Sequence, residues 1–166
     1  GGLVYGDGAN LNAILGAEKV FFIAVGRVML ALQAMVKRLA QLGISCHCVG
    51  AINEPAATEK DLLIVASGSG ESVLPVAIAR VAKKSNVKIA WIGSNPNSTM
   101  RSMADVFVRI PVRTKLYLDD EIESRQPMTS IFDQILYIFG DAVSMEIIRR
   151  KQLDIHSLWK YHANLE

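Results

Sequence analysis

Cysteine is scarce in this chain: Cys46 and Cys48 are the only two, too few for a disulfide framework. Two free, buried thiols in a reducing compartment account for them. They alternate with His47 on an expected strand, so the histidine points away from both sulfurs and a Cys-His-Cys metal site is disfavoured. Long apolar runs are also missing. The purest, Phe21–Val25, ends at Gly26-Arg27, far short of the roughly 20 residues that cross a bilayer. The start shows no basic region followed by an apolar block, so no secretory leader is expected. Charge of one sign is lacking too. A net charge of +2 excludes a dedicated nucleic-acid surface. There is no internal repeat and no low-complexity segment.

What is present suits one globular domain. The chain has 166 residues, 51% hydrophobic and 20% charged, and a domain of this size buries roughly 70% of the surface its unfolded chain exposes. Its apolar fraction is slightly rich for a lone monomer, which points to a buried subunit interface.

Apolar periodicity predicts alternating strands and helices. Strands are expected at residues 19–25, 45–49, 61–66, 87–92 and 106–110. Helices are expected at 27–41, on a Leu30, Ala34, Leu39, Leu42 stripe capped by Gly43, at 71–84 and, briefly, at 98–103. The run Leu62–Ala66 is continuously apolar, as in a parallel strand covered on both faces. This order argues an α/β fold with a parallel sheet and right-handed crossovers. Its ligands belong at the carboxyl ends of strands where strand order reverses, that is, in the loops after Val25, Ala66 and Ile92. Residues 112–125 read as a polar surface loop. Pro127 then opens a long helix to about Lys151, with Ile131, Ile135, Ile138, Phe139, Ala142 and Met145 as its apolar stripe. A final short helix spans 155–161. Residues 1–10 are read as an irregular lead-in and 11–166 as one domain.

The segment Ser67-Gly68-Ser69-Gly70-Glu71-Ser72 carries the chemistry. Glycines let backbone N–H groups approach an anion closely, a helix N-terminus adds unpaired donors and partial positive charge, and the hydroxyls add more donors. Three serines and two glycines in six residues exceed what an ordinary N-cap needs. The spacing is not Gly-x-Gly-x-x-Gly, and no Gly-Lys-Ser/Thr is present, which argues against a dinucleotide loop and excludes a Walker loop. A phosphate group is the expected ligand.

These residues resemble the SIS (sugar isomerase) family, whose Ser-Gly-Ser-Gly-Glu-Thr motif they match with Ser72 for Thr. Ser94-Asn95-Pro96-Asn97-Ser98 is similar to the family's next loop. Gln126-Pro127-Met128 with Phe132, and the tail His162-Ala163-Asn164-Leu165-Glu166, look like the 6-phospho-3-hexuloisomerase branch. The likeness spans about residues 17–166. It implies a flavodoxin-like, five-stranded parallel sheet flanked by helices. It also implies a cytoplasmic enzyme, usually tetrameric, without metal or cofactor. Its reaction would interconvert 3-hexulose 6-phosphate and fructose 6-phosphate through an enediol, in the ribulose monophosphate pathway.

The resemblance also assigns roles. The phosphate ligands are Ser67, Gly68, Ser69, Gly70, Glu71 and Ser72. Asp133 stands where the family has its basic glutamate, one methylene shorter, and a carboxylate there can move a proton between neighbouring carbons. His162 matches a histidine that enters a neighbouring subunit's site and helps open the sugar ring. Arg27, at the mouth of the first crossover helix, either binds phosphate or pairs with Glu71. The chain departs from the family after its first strand, where Val28 replaces a ligand-bonding serine, and after its second, where Ile52-Asn53-Glu54 replaces a threonine-rich turn. The N-terminal helix is expected to be mostly absent, with only Leu11–Leu15 left of it. Three functions stay open on these residues: the hexulose-phosphate isomerase, an isomerase of another phosphosugar, and a non-catalytic, sugar-phosphate-binding regulatory module.

Overall fold

The computed structural model describes residues 7–165; Gly1–Gly6, part of the expected irregular lead-in, and Glu166 of the tail motif lie outside the described residues. The elements run α1 (Asp7–Gly16), β1 (Val20–Ile23), α2 (Gly26–Gln41), β2 (Cys46–Cys48), β3 (Leu62–Ala66), α3 (Val73–Lys84), β4 (Lys88–Gly93), α4 (Thr99–Met103), β5 (Val106–Arg109) and α5 (Ser130–Lys151), with a closing 3₁₀ segment at Ile155–Tyr161. The strands form a five-stranded sheet in the order β2-β1-β3-β4-β5, every pair parallel. The expected α/β architecture is therefore the observed one. The order reverses between β1 and β3, where Val20 faces Leu62 and Ile23 faces Val65.

Continuous apolar strands feed two cores because successive side chains leave opposite faces of the sheet. Phe22, Leu62, Ile64, Ala90 and Ile92 join Leu32, Met35, Leu39, Phe132, Leu136 and Phe139 under α2 and α5. Phe21, Leu63, Val65, Ile89 and Trp91 join Val76, Ala79 and Met100 under α3 and α4. Helices α2 and α5 meet closely at Gly140, where a Cβ would stand 2.9 Å from the Met35 Cβ.

Several sequence expectations need correction. Residues 7–10 are not irregular; they belong to α1, whose Leu11 and Ile14 are buried. Helix α5 begins at Ser130, not at Pro127. Half of its expected stripe holds: Phe139 is in the core and Ile131 and Ile135 pack against it, while Ile138, Ala142 and Met145 are exposed and Phe132, Leu136, Val143 and Ile147 complete the buried face. In α2 the expected stripe holds at Leu39 and Leu42, both buried, and fails at Leu30, which is exposed; Ala31, Leu32 and Met35 complete the buried face. Both helices carry apolar residues on two faces, so spacing alone selects no single phase. Residues 112–125 are not simply a surface loop. A parallel bridge joins Val112 to Ile122, and Val112, Thr114 and Glu121 are buried. Cys46 and Cys48, expected buried, are half-buried on the edge strand β2. Burial still pushes the Cys46 thiol up to about 12, which makes it a poor nucleophile. Among the described residues, no helix is long and apolar enough to cross a membrane.

Gly140→Val tests the α2–α5 contact. Overpacking against Met35 costs about 1–3 kcal/mol, more than the few tenths of a kcal/mol that Val gains over Gly in helix propensity. Urea denaturation is expected to give a lower midpoint with an unchanged slope.

Candidate active site

A cavity of about 380 Å³ opens at the carboxyl ends of β1 and β3, where the strand order reverses. Its lining includes Gly26, Arg27 and Val28 after β1, Ser67, Gly68, Ser69 and Ser72 after β3, Thr114 and Lys115 after β5, and Met128, Thr129, Ser130 and Asp133 at the head of α5. Two of the three loops singled out from the sequence line it. The third, after β4, buttresses it from behind.

That buttress decides which way the serine turn faces. Four consecutive carbonyls of the turn are engaged on the β4–α4 side. The Ser67 carbonyl accepts the Trp91 indole N–H at 2.9 Å. The Gly68 carbonyl accepts the Ser94 and Asn95 amides at 2.9 and 3.3 Å. Asn95 Nδ2 donates to the Ser69 carbonyl at 3.2 Å, and the Met100 amide to the Gly70 carbonyl at 3.2 Å. These bonds draw four carbonyls of the turn toward the β4–α4 side, while Ser67, Gly68, Ser69 and Ser72 line the cavity. Two serine hydroxyls stiffen it: Ser67 Oγ accepts from the Gly70 amide and Ser69 Oγ from the Glu71 amide, each at 3.2 Å. Ser67 Oγ also lies 3.2 Å from Ser72 Oγ. Ser72 is the N-cap of α3 without a side-chain cap bond, so the helix's first amides stay available to an anion.

The glycines of the turn do different work. At Gly68 a Cβ would stand 2.7 Å from Thr114 Cγ2, so its bareness lets the loop after β5 close onto the turn. Gly70 has φ of 70° and faces away, where a Cβ would stand 2.4 Å from Ser98 Oγ. Gly70 and Glu71, both assigned to the phosphate from the sequence, lie outside the cavity lining. The Glu71 carboxylate instead accepts the Thr99 amide at 2.7 Å and the Thr99 hydroxyl at 2.8 Å. These two bonds hold its carboxyl below the usual range and join the serine turn to the first residue of α4.

Asp133 is buried in the cavity wall, in the first turn of α5. Arg27 Nε donates to its Oδ2 at 3.1 Å, while Oδ1 has no hydrogen-bond partner. The arginine thus pairs with Asp133, not with Glu71 as the sequence allowed. Burial pushes the Asp133 carboxyl above the ordinary carboxylate range, and the Arg27 guanidinium pulls partly against that shift. A buried carboxylate with a free oxygen is a stronger base than a solvated one.

His162 is placed elsewhere. Its ring lies tilted against that of Trp159, with centroids 4.7 Å apart, beyond Tyr161, whose ring lies 3.4 Å from a Cβ position on Gly43. Gly43 follows the C-terminal end of α2, and the cavity opens at the other end. The 16 residues of α2 separate the two by about 24 Å, so His162 does not reach the cavity of its own chain. Thr114, Lys115, Thr129 and Ser130 were missed as lining residues. The only sequence signal for the first two was a Thr-Lys pair soon after the last strand; nothing local marked the others.

A buried carboxyl raised above its unfolded value favours the neutral form of the fold. Its stabilising contribution is full below the unfolded carboxylate pKa and is lost as pH rises through the folded one. Asp133→Asn is therefore expected to stabilise the protein at pH 7 by about 0.5–1 kcal/mol, with the gain disappearing near about pH 3.5. Urea titrations at the two pH values measure it.

The SIS domain family matches residues 13–137. The chain is 35% identical to the 3-hexulose-6-phosphate isomerase of Bacillus subtilis, over 92% of this chain and 83% of that one. It is 37% identical to the isomerase of the same name from Mycobacterium gastri, over 92% and 76%. Among solved structures, a Methanococcus jannaschii protein superimposes with a TM-score of 0.85 at 30% identity, covering 97% of this chain and 86% of that one; 3-hexulose-6-phosphate isomerase is the function inferred for it. Family match, identity across nearly the whole length and a shared five-stranded architecture agree, and the chain belongs to the SIS domain family.

Proposed function

We propose that this protein is a sugar-phosphate isomerase that interconverts 3-hexulose 6-phosphate and fructose 6-phosphate. One observation carries the reading beyond its relatives: a buried carboxylate with an unpaired oxygen, Asp133 Oδ1, and three serines of the Ser67–Ser72 turn line one cavity. The turn holds the phosphoester. Asp133 removes the proton on C2, alpha to the C3 ketone, and the electron pair of that C–H bond forms the enediolate. The same carboxyl returns the proton to C3 while a hydroxyl proton passes from O2 to O3, so atoms and electrons balance without a co-reactant. Arg27, beside Asp133, faces the negative charge that develops on the enediolate oxygens. The shorter aspartate is offset by burial, which raises its basicity. The reaction belongs in the cytoplasm, in the ribulose monophosphate route. Asp133→Asn is expected to lower kcat by about 10²–10⁴-fold in an isomerisation assay coupled to fructose 6-phosphate consumption. Full activity in that variant overturns the base assignment. Tight fructose 6-phosphate binding without turnover by the unaltered protein would favour the regulatory module instead.

The working unit is an oligomer, a tetramer by resemblance. Leu30 on α2, with Tyr137, Ile138 and Met145 on α5, leaves an apolar surface uncovered, at 67%, 51%, 65% and 59% exposure, and such a surface suits a second copy of the chain. His162, remote from its own cavity, serves the cavity of a neighbour. Subunit mixing tests this. Asp133→Asn and His162→Ala proteins, each impaired alone, regain activity when dissociated and reassembled together if each site draws on two chains. No recovery in mixed oligomers shows that His162 does not serve a neighbour's cavity.

A further inference from the structure

Two cations line the cavity, and they differ in what they are free to do. Arg27 is committed to Asp133. Lys115 is exposed at the rim, has no ion-pair partner among the described residues, and acts on Glu71 of the serine turn only through space. We infer that Lys115 is the charge partner of the substrate's phosphate, closing from the β5 side a clamp whose other jaw is the Ser67–Ser72 turn. The inference rests on reading the cavity as a phosphosugar site.

The backbone that presents Lys115 is built, not loose. Its neighbour Thr114 is buried against Gly68 of the opposite jaw. The buried carboxylate of Glu121 accepts the Thr114 amide at 3.4 Å, the Thr114 hydroxyl at 3.2 Å and the Leu118 amide at 2.8 Å, so the short turn 114–118 is tied off around one side chain. Arg113, on the other side, donates to the Ser124 and Gln126 carbonyls and lies 4.9 Å over the Tyr117 ring. Arg109 is held by the Ser94 carbonyl and by Asp120. The neighbouring arginines are thus spent on shaping the loop, and the lysine at its tip projects at the cavity mouth.

The serine turn offers neutral donors, which orient a phosphoester but leave its dianionic charge uncompensated. An ammonium at the rim supplies that charge, steers the anion inward and keeps three rotatable donors for it. Arg27 can then stay with Asp133 and the sugar. The division predicts that Lys115 governs affinity and salt sensitivity, and Asp133 turnover.

Lys115→Met, Lys115→Arg and Ser69→Ala are compared with the unaltered protein by steady-state kinetics on fructose 6-phosphate and by calorimetric titration with fructose 6-phosphate, at low and high salt. Lys115 is exposed, so neither substitution threatens the fold. Lys115→Met is expected to raise KM and the dissociation constant about tenfold, with a much smaller change in kcat, and to flatten the fall of kcat/KM with added salt; Lys115→Arg restores most of the affinity. If Lys115→Met keeps the original KM and salt slope while Ser69→Ala weakens binding, the lysine inference is overturned and the phosphosugar site stands. If the unaltered protein binds no fructose 6-phosphate, the site reading and the inference fall together.

Discussion

The bond from the Trp91 indole to the Ser67 carbonyl ties the hydrophobic core to the site. Trp91 is fully buried under α3 and α4, and its single polar atom must find an acceptor there. The first residue of the serine turn supplies it. That bond begins the run of carbonyl contacts from Ser67 to Gly70 toward the β4–α4 side. The turn's position is thereby set by satisfaction of a core side chain and by the loop that follows β4.

The opposite wall works by withholding satisfaction. Asp133 sits in the first turn of α5, where a helix favours acidic charge, yet it is buried with one oxygen unpaired. A lone ion pair with a largely exposed arginine offsets only part of the desolvation. The charged form is disfavoured as a result, and the carboxyl is held above its ordinary range.

Between these walls, the segment from β5 to α5 contributes more than its polar composition suggests. It is organised by buried Glu121 and by Arg113, and it reaches the cavity at Thr114–Lys115 and again at Met128–Ser130. Apolar Val28 and Met128 line the same space, so its polar groups are concentrated at the serine turn, at Thr114–Lys115, at Thr129–Ser130 and around Asp133.

The sequence was enough to read the alternation of strands and helices and the serine turn with its place after β3. Those features are local: strand runs and a glycine-serine cluster need no distant partner to be read. It did not determine that Leu30 of α2 and Ile138 and Met145 of α5 would be exposed, because each helix carries apolar residues off its core face and only packing on the sheet selects the phase. Nor did it settle the partner of Arg27, the diversion of Glu71 to Thr99, or the entry of Thr114 and Lys115 into the site. Each of these joins residues far apart in the chain, Arg27 and Asp133 by 106 positions. Only the parallel sheet, with its strand order reversing between β1 and β3, brings those chain segments to one end of the molecule.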